Sequence, residues 1–242
     1  MEQKHKMMKV EIWSDVMCPF CYIGKRKFEK ALEQFPQKNN IEIVWKSFQL
    51  DPTTVTDPTL NTIDHLAEKK GWSKEQANET IAHVTGIAKQ VGLDFHFDKA
   101  VVANSFDAHR LSHLAKKQGK QNELEEKLFS AYFTEGKNTA DHNTLIQIGT
   151  EIGLDKTEVS ELLNSTLYTE EVERDIYEAQ QVGVRGVPFF VLDRKYAVSG
   201  AQEASTFLQA LTKSYEEHAK ENPLQVMNES TDGTCGPDGC EI

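Results

Sequence analysis

The tightest constraint on this chain is a pair of cysteines, Cys18 and Cys21, set between a strand pattern and a helix pattern. Lys9 to Trp13 reads as a short strand with Val10 and Ile12 on one face. Pro19 then stands where a first helical turn tolerates proline, and Phe20, Ile23, Phe28, Ala31, Leu32 and Phe35 recur mostly at helical spacing. Ile41 to Leu50 reads as a second strand, with Ile41, Ile43 and Trp45 alternating with more polar neighbours. Strand, helix and strand in this order predict a parallel β-α-β unit, right-handed by default.

That placement gives the two sulfurs different chemistry. Cys18 falls at the helix N-terminus, where unpaired amides and the helix dipole stabilise a thiolate, so it is the expected nucleophile. Cys21, one turn further in, is shielded by the helix and is expected to resolve a mixed disulfide formed at Cys18. Reducing compartments make static disulfides rare, so paired cysteines there indicate catalysis, redox sensing or metal binding, and the strand-C-P-F-C-helix context favours exchange.

From about Asn61 to Gln181 no good strand pattern occurs, and helical segments are separated by Gly71, Gly92, Gly119, Gly136 and Gly153. Ser73, Ser105, Asp141 and Asp155 are candidate helix caps. After Gly183 the texture returns to strand. Val187 to Leu192 and Tyr196 to Ser199 form two runs joined by a turn at Asp193-Arg194-Lys195, and Ala204, Phe207, Leu208, Leu211 and Tyr215 mark a last helix. From Pro223 the chain is polar, turn-rich and acidic and reads as a flexible tail, 221–242. Val187-Pro188 opens the apolar strand, where a cis bond would offer backbone groups beside a reactive sulfur to an extended substrate peptide.

The net charge of -11, without a Lys/Arg cluster, argues against nucleic acid and anionic membrane as partners. No stretch approaches the roughly 20 apolar residues that span a bilayer. Met1 to Met8 lead into the first strand with no apolar signal core or cleavage site, so a cytoplasmic protein is expected. Asp15, three residues before Cys18, is a candidate proton relay for Cys21, but a cap or loop acceptor is the favoured role. His109 and His113 are four apart on a helix without a third ligand or general base, and are read as structural. Trp13, Trp45, Phe189 and Phe190, all on strand patterns, are read as core.

The run Ser14-Asp15-Val16-Met17-Cys18-Pro19-Phe20-Cys21-Tyr22-Ile23-Gly24 closely resembles the opening of the DsbA-like thioredoxin-fold oxidoreductases, in particular their FrnE-like branch. Asn104 to Leu111, Gly183 to Phe190 and Ser199 to Gln202 look like later motifs of the same family. The resemblance implies an α/β protein with a thioredoxin-like fold interrupted by a large all-helical insertion. The parts expected are 8–55 and 183–220 for the thioredoxin-like domain and 56–182 for the insertion. It also implies a nucleophile at Cys18, a resolving thiol at Cys21, a cis proline at Pro188 and substrate binding at Val187 and Pro188. Strongly oxidising members are similar but carry histidine where Phe20 stands, so a potential between about -120 and -270 mV is expected. Implied partners are protein or peptide thiols and disulfides, with glutathione or a reductase as electron partner.

At the far end, Cys235 and Cys240 enclose Gly236-Pro237-Asp238-Gly239, a turn that can bring two sulfurs to bonding distance. So small a loop contributes only about 2 kcal/mol of chain entropy, so the pair is a poor staple and reads best as a second redox pair. FrnE-like chains often end this way. Four thiolates completing a zinc site, or an incidental tail, are the weaker readings; no metal and no cofactor is expected. The rival enzyme class is a glutathione-dependent isomerase or kappa-type transferase, which resembles this fold with serine at the nucleophile. Cys18 and the retained Cys21 argue against it. A zinc-bound or oxidant-sensing module without turnover is the non-enzymatic rival.

Overall fold

A computed structural model describes residues 7–221 of the chain. Four strands, β1 (Met8–Ser14), β2 (Ile41–Ser47), β3 (Phe189–Leu192) and β4 (Tyr196–Ser199), form one sheet in the order β2-β1-β3-β4. β1 and β2 are parallel, with Met8 opposite Ile41 and Ser14 opposite Ser47. A parallel pair needs a crossover, which helix α1 (Pro19–Gln34) supplies. β3 runs antiparallel to both β1 and β4. Asp193 and Arg194 close the β3–β4 hairpin at φ of 49° and 57°, the left-handed backbone that a tight hairpin turn requires.

Two strands are shorter than their sequence patterns. β2 ends at Ser47 because β1 ends opposite it, and the Leu50 amide donates to the Asp15 carboxylate instead of a ladder. β3 begins at Phe189 because Pro188 has no N–H to give. It also lies inside the sheet, so Pro188 stands at the N-terminal end of an interior strand.

Between β2 and β3 lie seven α-helices: α2 (Thr62–Lys70), α3 (Lys74–Gln90), α4 (Phe106–Lys117), α5 (Gln121–Phe129), α6 (His142–Glu151), α7 (Lys156–Leu163) and α8 (Thr169–Gln181). Ser73 caps α3 in a reciprocal box with Gln76, and Asp141 and Asp155 cap α6 and α7. Ser105 does not cap α4: its backbone is already helical and the Asn104 carboxamide accepts from the Phe106 amide. α5 runs on into a π-helical turn, Ser130–Thr134.

The core covers both faces of the sheet. On one, α1 and α9 (Ala204–Glu221) bring Phe28, Phe190 and Phe207 together with ring centroids 4.6–5.6 Å apart. On the other, Trp13 packs with Ala179, Val184 and Val191, and its indole N–H donates to the Asp175 carbonyl at 2.9 Å. Trp45 and Phe190 are buried and Phe189 half-buried. Charged side chains tie the helical segment to the sheet unit. Asp175 of α8 accepts the Ser47 amide and pairs with Lys46 and His113. Glu126 of α5 accepts from Tyr22, Lys25 and Arg26 of α1.

Lys25 is almost wholly buried, so removing Glu126 leaves that charge with Glu29 as its remaining carboxylate partner. Although burial opposes it, Arg26, Lys25 and the Tyr22 hydroxyl hold the Glu126 carboxyl down to about 2. A depressed carboxylate stabilises the fold above its ordinary range and loses that contribution as pH falls. Glu126→Gln is expected to lower unfolding free energy by roughly 1–3 kcal/mol at pH 7. In urea melts from pH 7 down to about 2 the gap to the unsubstituted protein should narrow, the narrowing beginning near pH 4.5.

Candidate active site

Cys18 is the N-cap of α1, with φ -92° and ψ 111°, and Pro19 occupies the first helical turn. No side chain caps this helix end. The Cys18 thiol donates to the Val187 carbonyl at 3.5 Å, across the register that sets Trp13 opposite Phe189. The Val187–Pro188 peptide is cis, and the Pro188 carbonyl accepts the Gly200 amide at 2.8 Å. Cys21 lies one turn inside, and its amide donates to the Cys18 carbonyl at 3.0 Å. Burial and then the Cys18 sulfur beside it push the Cys21 thiol well up.

A cavity of about 460 Å³ opens beside this pair. Its walls are mainly apolar: Met17, Phe20 and Leu50 stand near Cys18, and Trp72 comes from the helical segment. Cys18 and Val187 line it; Cys21 does not. Phe20 and Leu50 are respectively 40% and 52% exposed, so the mouth presents apolar surface to anything approaching Cys18.

Asp15 is buried behind the same turn. Its carboxylate accepts the Met17 amide at 3.2 Å and the Leu50 amide at 2.7 Å, so it fastens the turn into α1 to the loop leaving β2. Burial pulls the carboxyl up, but His109, then the Leu50 amide and Ser105 outweigh it, and the net direction is down. Among the described residues, no group of three or more histidine, cysteine or acidic side chains is placed to hold a metal ion. Nor is any helix long and apolar enough to cross a membrane. Cys235 and Cys240 lie outside the described residues.

With that geometry in hand, residues 9–212 match the DSBA-like thioredoxin domain family. The chain belongs to this family. A probable DsbA oxidoreductase from Streptomyces coelicolor is 40% identical, with a TM-score of 0.81 over 97% of this chain and 99% of that one. The uncharacterized protein YwbO of Bacillus subtilis is 24% identical over 205 residues, covering 84% of this chain and 95% of its own. The cytosolic disulfide reductase DsbM from Pseudomonas aeruginosa, solved with GSH, shares the fold at 14% identity. Its TM-score is 0.59, over 89% of this chain and all of its own. The architecture is thus a DsbA-like thioredoxin fold with a helical insertion.

Three residues stand beside the site with no functional role legible in the sequence, His109 being read there as structural. His109 reaches across to Asp15, at 3.6 Å. Tyr132 lines the cavity from the π turn, an irregularity that helical spacing does not reveal. In the sequence Gly24 is only the last residue of the Ser14 to Gly24 motif. A Cβ built on it falls 2.9 Å from the Pro188 ring and 3.5 Å from Ala201, so glycine is what allows α1 to approach the cis proline.

Gly24→Ala therefore sets two effects in opposition. Alanine gains about 1 kcal/mol of helix propensity, whereas forcing α1 off Pro188 costs typically 1–3 kcal/mol. The variant is expected to be no more stable than the original in urea melts, and its Cys18 is expected to exchange more slowly with a disulfide reagent.

Proposed function

We propose that this protein exchanges disulfides with protein or peptide substrates through Cys18 and Cys21. The single observation that carries this reading is that, of the two sulfurs, Cys18 lines the cavity while Cys21 is sealed behind it. Cys18, as thiolate, attacks one sulfur of a substrate disulfide, forming a mixed disulfide and expelling one substrate thiolate. Cys21 then loses its proton and attacks the Cys18 sulfur, which releases the second substrate thiol and leaves Cys18–Cys21 oxidised. Two electrons pass to the substrate, and a thiol partner, glutathione or a reductase, returns them. In the oxidising direction the same steps run backwards.

Substrate backbone is held at Val187 and Pro188, whose carbonyl groups already face Cys18 and Gly200. Residues 8–55 and 183–220 carry the exchange chemistry, and the insertion, 56–182, roofs the cavity and sets the partner. Asp15 serves as an amide acceptor in this reading rather than as a proton relay. The proposed compartment is the cytoplasm, where a glutathione pool near -220 mV or below keeps such a pair reduced and favours reductase or isomerase work. The Pseudomonas reductase, cytosolic by name and solved with GSH, supports that direction. The CGPDGC pair, Cys235 and Cys240, is proposed to relay electrons to this site.

Insulin reduction with glutathione as donor tests the assignment. Cys18→Ser is expected to abolish turnover with folding intact, and Cys21→Ser to accumulate a mixed disulfide at Cys18. Thiol-trapping mass spectrometry across glutathione buffers should find Cys18 and Cys21 moving as one two-electron couple, with each cysteine pair read separately. Full turnover by Cys18→Ser would refute the mechanism.

A further inference from the structure

Asp15 poses an electrostatic problem for the proposed chemistry. It is a buried carboxylate on the wall of the cavity that Cys18 lines, two positions from the amide that leads into the nucleophile. A thiolate forming at Cys18 would meet it as a like charge in surroundings of low dielectric.

His109 answers that problem by position. It is buried on α4, and its Nε2 lies 3.6 Å from Asp15 Oδ1 with no hydrogen-bond partner of its own. The Asp15 carboxylate first, then Glu125 and the Phe48 backbone, favour a charged ring. The other groups acting on this pair do not replace it. From α5, Glu125 is held towards its neutral acid by burial and takes the Ser112 hydroxyl at 2.6 Å. Ser105 also lowers the Asp15 carboxyl, and Tyr132 stays a neutral phenol near it. Lys25 is committed to Glu29 and Glu126, and His113 to Asp175. Burial alone would discharge the imidazole, yet Asp15 turns the net direction upwards.

We propose that His109 is a positioning residue of the exchange site: as imidazolium it neutralises Asp15, so that negative charge develops on Cys18 beside a neutral pair instead of beside a buried anion. This rests on Cys18 being the attacking sulfur, but its test requires no turnover.

The measurement is the iodoacetamide alkylation rate of Cys18 in the reduced full chain at pH 7, read by mass spectrometry, in a Cys21→Ser background. His109→Gln leaves Asp15 uncompensated and is expected to slow alkylation roughly tenfold, the size of one pH unit of ionisation. Asp15→Asn with His109→Gln removes both charges and is expected to return the rate to within about twofold of the parent. A merely structural role would make the double variant the slower of the two. In parallel, histidine NMR of the unsubstituted protein should find the His109 ring charged at pH 7. An unchanged rate in folded His109→Gln, a double variant as slow as the single, or a neutral ring at pH 7 each overturns the proposal. The NMR result decides if His109→Gln does not fold. Should the rates behave as expected while insulin is not reduced, the pairing stands and the exchange reading falls.

Discussion

The site depends on β1 having partners on both sides. Its parallel pairing with β2 fixes where α1 begins, and its antiparallel pairing with β3 sets Phe189 opposite Trp13. The second pairing joins residues 176 to 182 positions apart, and it is what lets the Cys18 thiol meet the Val187 carbonyl, 169 positions further along the chain. Neither half carries the arrangement alone: one holds the sulfurs, the other the backbone surface beside them.

The helical segment is fastened to this frame at two places of different kind. At α1 the contact is an ionic cluster around Glu126, with Lys25 buried beneath it; at β2 it is Asp175, which takes an amide, a lysine and a histidine at once. Pairs this buried add little net stability over apolar packing but are costly to break singly. Their value lies in fixing register, because a helix that slid by one turn would leave these charges without partners. The cavity wall that the insertion contributes is therefore held at a set distance from Cys18.

How much could be read in advance followed from how local each signal is. The strand, Cys18-Pro19-Phe20-Cys21 and amphipathic helix are contiguous, so residue spacing alone placed the sulfurs at the start of α1. Tyr196 to Ser199 and its turn were likewise visible, since hairpin chemistry is local. The ends of β2 and β3 were not, because a strand stops where its neighbour stops, and the neighbour lies elsewhere in the chain. Ser105 looked like a cap by residue type, but Asn104 fills that place. His109 was set aside for want of nearby ligands in sequence, when its partner Asp15 comes from the turn after β1.

The split of the sheet unit around the helices has a consequence for how the protein is made. A ribosome adding roughly 5–20 residues each second releases Cys18 and Cys21 on the order of ten to thirty seconds before Val187 and β3 exist. Through that interval Cys18 and Cys21 have neither their cis-proline neighbour nor a finished sheet. A nascent chain with an unshielded thiol can be captured by any disulfide it meets, so surroundings that keep thiols reduced would protect this chain during its own synthesis.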